Sequence, residues 1–521
     1  MPEELRKEGA AVPAIRCEQL TFRYFENSAP ILEGADLTIP AGKITVLMGS
    51  SGCGKSTLAA VMCGLLPENG GFLTEGKISL FGEPLDSLRN SDRARLVSMM
   101  FQNPDLQFCM ATLREELYFC QENLSIPAEE MKQRAEDAAR RIGSYDYLDR
   151  PLHTLSGGEK QRAVLTCIYL LDAGCILLDE PFANLDPASV REMMSLFDGL
   201  CHEQGKTIVA IDHMSDHWIG TADRFVLLGK GGSVIGEASD EAELAAMKPA
   251  FLEQGVAYPG IWKETAGREH MPVTTDTACL RMEELTIPVR NRKPARRKKR
   301  QAPVPEADAL LWECGLSIHP GQITAILGPS GCGKTTLMMA LLKQTDYRGR
   351  IVYQWDEQEK ELGQLREEEC FSHIGIAFQN PSNQFITQNV TAEVEDGLNR
   401  SMKGATPEQI HARAIEMLDT CGLKSYQKYS PYMLSQGQQR RLAVLSVLAA
   451  GQKLLLLDEP TYGQDYRSAR ALMDQISRKV DEEGLAVIMT THDAGLAEAY
   501  ADVSYQVVDK KIRPCAEGRV L

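Results

Sequence analysis

Two stretches carry the most specific chemistry in the chain, GSSGCGKST at Gly49–Thr57 and GPSGCGKTT at Gly328–Thr336. Glycines at this spacing let backbone N–H groups close around phosphate oxygens, and a helix starting just beyond them favours negative charge. The first cradle is expected from Gly49, Ser50, Ser51, Gly52, Cys53, Gly54 and Thr57, the second from Gly328, Pro329, Ser330, Gly331, Cys332, Gly333 and Thr336. Lys55 and Lys334 would reach the β- and γ-phosphates, and Ser56 and Thr335 would offer a hydroxyl to Mg²⁺. Two further stretches, Ile176–Pro181 (ILLDEP) and Leu455–Pro460 (LLLDEP), are apolar runs that end in paired acids. They predict buried parallel strands with Asp179 and Asp458 at the carboxyl end, in reach of a Mg²⁺ shell. Glu180 and Glu459 follow, where a carboxylate would polarise an attacking water.

These residues need elements to hold them. Apolar runs Ile44–Met48 and Ile323–Leu327 predict the strands that feed the phosphate loops, and Leu58–Cys63 and Leu337–Leu342 the helices that follow. LSGGEKQR (Leu155–Arg162) and LSQGQQRR (Leu434–Arg441) each place a serine and glycine before helices predicted at Lys160–Leu171 and Gln439–Ala450. A hydroxyl and free N–H groups at a helix start form a second anion site, here Ser156, Gly157 and Gly158, and Ser435 and Gly437. His213 and His492 lie just past apolar strands expected at Thr207–Ile211 and Ala486–Met489.

The chain is a tandem repeat. Gly49 and Gly328, Ser156 and Ser435, Asp179 and Asp458, and His213 and His492 are all separated by 279 residues. FQNPDLQF at Phe101–Phe108 recurs as FQNPSNQF at Phe378–Phe385, offset by 277. The first strands, Cys17–Tyr24 and Met282–Val289, are offset by only 265, from Leu20 to Leu285. The second copy therefore carries 14 extra residues before its phosphate loop, and that interval holds the basic run Arg290–Arg300. The boundaries expected are a first domain over 12–254, a linker over 255–277 and a second domain over 278–521, with the basic insertion at about 290–303.

The 521 residues carry a net charge of −16, so a nucleic-acid role would need a local basic patch. No apolar run reaches the roughly 18 residues of a membrane span, and the N-terminal MPEELRKEGAAVP has no signal-peptide core. The 14 cysteines are scattered without metal-ligand spacing and suggest reduced thiols of a cytoplasmic protein.

On these motifs each half resembles an ATP-binding-cassette nucleotide-binding domain over essentially its whole length. The resemblance implies an α/β fold: two tandem P-loop domains, each with a mixed sheet, an antiparallel β subdomain and a helical subdomain. It implies ATP and Mg²⁺ as ligands and ATP hydrolysis as the activity. It also implies that the signature of one half closes over the ATP of the other. One site would pair Lys55, Gln102, Asp179, Glu180 and His213 with Ser435, Gly437 and Asp465. The other would pair Lys334, Gln379, Asp458, Glu459 and His492 with Ser156, Gly157, Gly158 and Asp186. Gln102 and Gln379 would also approach the metal, and His213 and His492 would sense the γ-phosphate. Tyr24 would stack on adenine, whereas its counterpart is Val289, and Trp312 aligns with Glu33 instead. Gln436 stands where the first signature glycine is expected.

FQNPDLQF and FQNPSNQF are similar to the Q-loops of energy-coupling-factor importers, as is TYGQD at Thr461–Asp465. That similarity implies a peripheral ATPase on the cytoplasmic membrane face, an integral scaffold protein and a small substrate-binding membrane protein as partners, and vitamins or metal ions as cargo. Three readings compete with it. A tandem cassette acting on ribosomes or nucleic acid draws on Arg290–Arg300, though the short Gly255–Thr277 segment is unlike the long charged linkers of such proteins, and no nucleic acid is expected. A sugar-importer ATPase would share the class but not this Q-loop. A non-hydrolysing scaffold disagrees with Glu180 and Glu459.

Overall fold

The computed structural model describes residues 12–182, 185, 187–265, 267–268, 277–289, 304–329, 331–355 and 358–515. The chain divides into two units, Met1–Pro259 and Gly260–Leu521.

In the first unit the short apolar runs have no polar face, so they form the centre of a sheet covered on both sides. Cys175–Asp179, Thr207–Ile211 and Ile44–Gly49 lie side by side in parallel and are buried throughout. Val97–Met100 joins one edge in parallel. Arg224–Leu228 (parallel) and Val234–Ala238 (antiparallel) complete the other. A separate antiparallel sheet runs in the order Leu32–Ile39, Ile15–Arg23, Phe72–Leu80, Glu83–Pro84. Its buried face, with Ile15, Leu20, Phe22 and Leu37, packs with Leu58 and Met62 from the helix Lys55–Met62. Helices Leu113–Asn123, Ala128–Ile142 and Gly157–Leu171 form a third part around Leu113, Leu117, Ala135, Ala139 and Ala163.

The second unit repeats this plan. Its main sheet runs Ile374–Ala377, Leu454–Asp458, Ala486–Thr491, Ile323–Leu327, Val503–Val508, Lys511–Pro514. Its antiparallel sheet runs Ala309–Ile318, Leu280–Pro288, Arg348–Trp355, Gln358–Glu361. Helices Val390–Ser401, Pro407–Thr420 and Gln436–Ala449 make its helical part.

The starts of two helices differ from the sequence expectation. The helices after the two LS motifs begin at Gly157 and Gln436 rather than at Lys160 and Gln439. Ser156 and Ser435 close capping boxes with Glu159 and Gln438, which pull the glycines into the first turn. Of the segment expected as linker, Val256, Tyr258, Ile261 and Arg268 are buried, while 266 and 269–276 lie outside the described residues. Leu280–Pro288 and Ala309–Ile318 pair as an antiparallel hairpin, and the basic run Arg290–Arg300 between them also lies outside the described residues. All fourteen cysteines are free. Among the described residues no helix is long and apolar enough to cross a membrane.

Candidate functional site

Each phosphate loop leaves the central strand of its sheet and turns into a helix through a glycine whose φ only glycine adopts freely, Gly54 at 109° and Gly333 at 105°. A Cβ on Gly54 would also lie 2.9 Å from Leu32. The lysine that follows is buried and folds over its own loop. Lys55 Nζ donates to the carbonyls of Gly49 at 2.7 Å and Ser50 at 3.0 Å, and Lys334 Nζ to those of Gly328 at 2.6 Å and Pro329 at 3.0 Å. The ammonium is therefore held inside the ring of backbone that would receive a phosphate.

In the first unit, strand Cys175–Asp179 delivers Asp179 beside Ser56, whose hydroxyl hydrogen-bonds it. Asp179 Oδ1 is buried with no hydrogen-bond partner. Burial, and then the charge of Glu180, push its carboxyl up to about 6. An orphaned, buried carboxylate oxygen beside a hydroxyl and the loop lysine suits a divalent cation. Glu180 sits at φ 50°, a left-handed conformation that costs roughly 1–2 kcal/mol for a residue with a side chain. Its backbone N–H is fixed by the Ile211 carbonyl at 2.9 Å. Gln102 Nε2 donates to Glu180 Oε2 at 2.6 Å, and His213 Nε2 lies 3.0 Å from Oε1. Burial alone would raise the Glu180 carboxyl, but His213, Gln102 and Lys55 outweigh it and hold it below the usual range.

The second unit reaches the same constellation by other contacts. Glu459 has φ 51°, donates its N–H to the Thr490 carbonyl at 3.0 Å and meets His492 Nδ1 through Oε2 at 3.0 Å. Burial lowers His492, but the Glu459 charge and hydrogen bond more than offset this and raise its pKa above the ordinary value. Asp458 accepts from Thr335 Oγ1 at 2.7 Å and from Thr490 Oγ1 at 2.6 Å, so both its oxygens are occupied. Two residues here were not singled out from sequence. Thr490 faces Asp458 across the parallel ladder, where the first unit has Ile211 facing Asp179. Arg440, 5% exposed, donates through Nη1 to the carbonyls of Glu459 at 2.7 Å and Tyr462 at 2.9 Å, and through Nη2 to that of Gln379. It ties the backbone of the catalytic-position glutamate to that of the Q-loop glutamine. The visible signal was that LSQGQQRR has an arginine where LSGGEKQR has Gln161.

Tyr24 is 43% exposed and its hydroxyl lies 3.0 Å from Thr57 Oγ1, so an aromatic face stands beside the first phosphate loop. Val289 follows the corresponding strand Leu280–Pro288 and is bonded through its N–H to the Asp308 carbonyl. Trp312 packs elsewhere: its N–H bonds the Lys510 carbonyl and Lys511 Nζ lies 4.8 Å from its ring centre. Exposed Ser156 and Ser435 present the signature helix starts. Gly158 and Gly437 lie against the segments that follow the acid pairs of their own units, since a Cβ would meet Leu185 at 2.8 Å or the Gly463 carbonyl at 3.2 Å. Asp465 caps helix Tyr466–Glu483 by accepting from Ser468 N–H at 2.8 Å. Asp186 and Ser330 lie outside the described residues.

Comparison with known proteins agrees with this geometry. The ABC transporter family model matches the chain twice, at residues 32–183 and 311–462. A putative HMP/thiamine import ATP-binding protein, YkoD of Bacillus subtilis (strain 168), is 33% identical over 93% of this chain and 88% of its own length. A putative ABC transporter ATP-binding protein of Methanosarcina acetivorans is 32% identical over 94% of this chain and 83% of its own. The solved structure described as a model of ribosome-bound archaeal Pelota and ABCE1 aligns with a TM-score of 0.64 at 18% identity, over 95% of this chain and 78% of that one, a likeness of fold alone. With two complete sets of phosphate loop, acid pair and histidine behind those matches, the chain belongs to the ABC transporter family, as a tandem ATPase.

Proposed function

We propose that this ATPase is the energy-coupling subunit of an importer, driving uptake of a small substrate, a vitamin, vitamin precursor or metal ion, through a separate membrane complex. The observation that carries this reading is the 33% identity, over 93% of the chain, to a relative named for HMP/thiamine import. The paired FQNPDLQF and FQNPSNQF loops support the energy-coupling-factor type. Its partners would be an integral scaffold and a small substrate-binding membrane protein, and it would work on the cytoplasmic membrane face.

In this reading both units bind ATP on their phosphate loops. Ser56, Asp179 and Gln102 would hold Mg²⁺ at the first, and Thr335, Asp458 and Gln379 at the second. The ion would supply charge neutralisation for the phosphates there. Glu180 and Glu459 accept the proton of the attacking water. His213 and His492, bonded to those carboxylates, orient them and meet the γ-phosphate. The signature of each half, Ser156, Gly157, Gly158 and Asp186 or Ser435, Gly437 and Asp465, would serve the ATP held by the other. Lys55 and Lys334 anchor the transferred phosphate.

Affinity capture of the tagged chain in mild detergent tests the importer reading. A polytopic membrane protein should co-purify in stoichiometric amount. Recovery of ribosomes instead, lost on nuclease treatment, would overturn it.

A further inference from the structure

The chain passes from one unit to the other at Pro259–Gly260, and the residues that follow pack onto the second unit. The short helix Ile261–Glu264 sets the Trp262 ring 5.1 Å from Tyr466 and 6.0 Å from Tyr500, centre to centre. Tyr466 is the first helical residue after Asp465, and Tyr500 ends the helix Ala494–Tyr500 that follows His492. Trp262 also crowds Gly495, where a Cβ would lie 3.0 Å from its own Cβ. Thr265 Oγ1 lies 2.9 Å from the Tyr466 hydroxyl.

Six residues on from Trp262, Arg268 enters the unit with its side chain 2% exposed. Its Nε donates to Asp481 at 2.7 Å, Nη2 to the Gly321 carbonyl at 3.0 Å, and Nη1 to Asp502. Its backbone N–H donates to the Ala499 carbonyl at 3.0 Å. Asp502 in turn accepts from Ile323 N–H at 2.7 Å, at the root of the strand that carries the second phosphate loop. Gly267 lets the segment lie this close, since a Cβ there would be 1.9 Å from the Ala499 carbonyl. Removing one partner of such a buried pair leaves uncompensated charge. The first unit manages the matching positions by itself: Asp223, which caps Ile44, meets His202, the counterpart of Asp481.

We infer that Trp262, Thr265 and Arg268 are positioning residues, a clamp through which the inter-domain segment sets where Asp465 stands for the first ATP site and His492 for the second. The clamp touches the element behind each group it positions: the helix capped by Asp465, the helix after His492 and the strand before Gly328. It rests on the assignment of Glu459 and His492 to hydrolysis at the second site.

The test measures kcat and KM for ATP, and Tm, on the full chain carrying Trp262→Ala, Arg268→Ala, Trp262→Phe, Arg268→Lys or Thr265→Val, with Glu459→Gln as reference. The alanine variants should lower kcat at least threefold, up to the loss that Glu459→Gln produces, with KM within about twofold, because small misplacement of catalytic groups costs rate and not binding. Trp262→Phe and Arg268→Lys should regain most of the rate. Full kcat per folded molecule with only a lowered Tm would overturn the clamp. Should the alanine variants fail to fold, Thr265→Val decides, a fall in kcat supporting the clamp and a parental kcat overturning it. Parental turnover in Glu459→Gln would instead sink the site assignment on which the clamp rests.

Discussion

The two nucleotide sites share their motifs but not their supporting contacts. In the first, Asp179 keeps a buried oxygen without a partner and its carboxyl is pushed up to about 6. In the second, Thr335 and Thr490 cover both oxygens of Asp458. The first has an exposed tyrosine beside its phosphate loop, where the second has a valine. The first balances Asp223 with its own His202, while the second balances Asp502 with Arg268 from the inter-domain segment. Duplication has thus kept the motif residues and changed the residues that contact them. Asymmetric turnover is the expected result.

The largest effect should come from what the sites share. Glu180→Gln together with Glu459→Gln should cut steady-state ATP hydrolysis by about 100-fold or more, the scale of a lost general base. Each single substitution should also reduce it sharply, and a double variant at parental rate would break the comparison at its root. Next, Tyr24→Ala should weaken ATP binding to the first site roughly tenfold, since stacking of a base on an aromatic side chain contributes about 1–3 kcal/mol. Titration in a Lys334→Ala background reads this, and unchanged affinity would remove the tyrosine from the site.

A smaller effect concerns pH. Burial raises the Asp179 carboxyl in the folded state from its ordinary 3.8 to about 6, so between those values the folded state holds a proton that the unfolded state has released. Nucleotide-free stability should therefore fall as pH rises through that window. Mg²⁺-dependent ATP binding at the first site should weaken as pH drops below about 6. Thr490→Ile, which copies Ile211, should confer a similar acid sensitivity on the second site, read in a Lys55→Ala background, and an unshifted profile would separate Thr490 from metal binding. Smallest of all, Asp198 and then Asp223 raise the His202 pKa above 6.5. Its contribution is present below that value and is lost as pH rises through the raised one. His202→Gln should flatten the decline of Tm over that range, and a parental slope would contradict the role.

Much of this was legible in the chain before any coordinates. Local spacing was enough for the phosphate loops, the acid pairs, the histidines and the central strands, because each depends on a short run of residues. The signature helices start three residues before Lys160 and Gln439, because S-x-x-E and S-x-x-Q close capping boxes that draw the glycines into the first turn. Thr490, Arg440 and Arg268 were missed for a different reason. Their partners are brought by the fold from distant segments: Thr490 from the neighbouring strand, Arg440 from the signature helix onto two loops, Arg268 onto Asp502 at the far end of the domain. Trp312, the aromatic residue that aligns with Glu33, is tied to the Lys511–Pro514 strand.

The inequality of the two sites is tested most directly by nucleotide binding to Lys55→Ala and Lys334→Ala, each variant leaving one intact phosphate loop, with ATP and GTP compared at low and high salt. The Lys55→Ala chain, left with the site beside Val289, should bind ATP about tenfold more weakly, prefer ATP over GTP less and depend more steeply on salt. Equal affinity and equal base preference in the two variants would contradict the account.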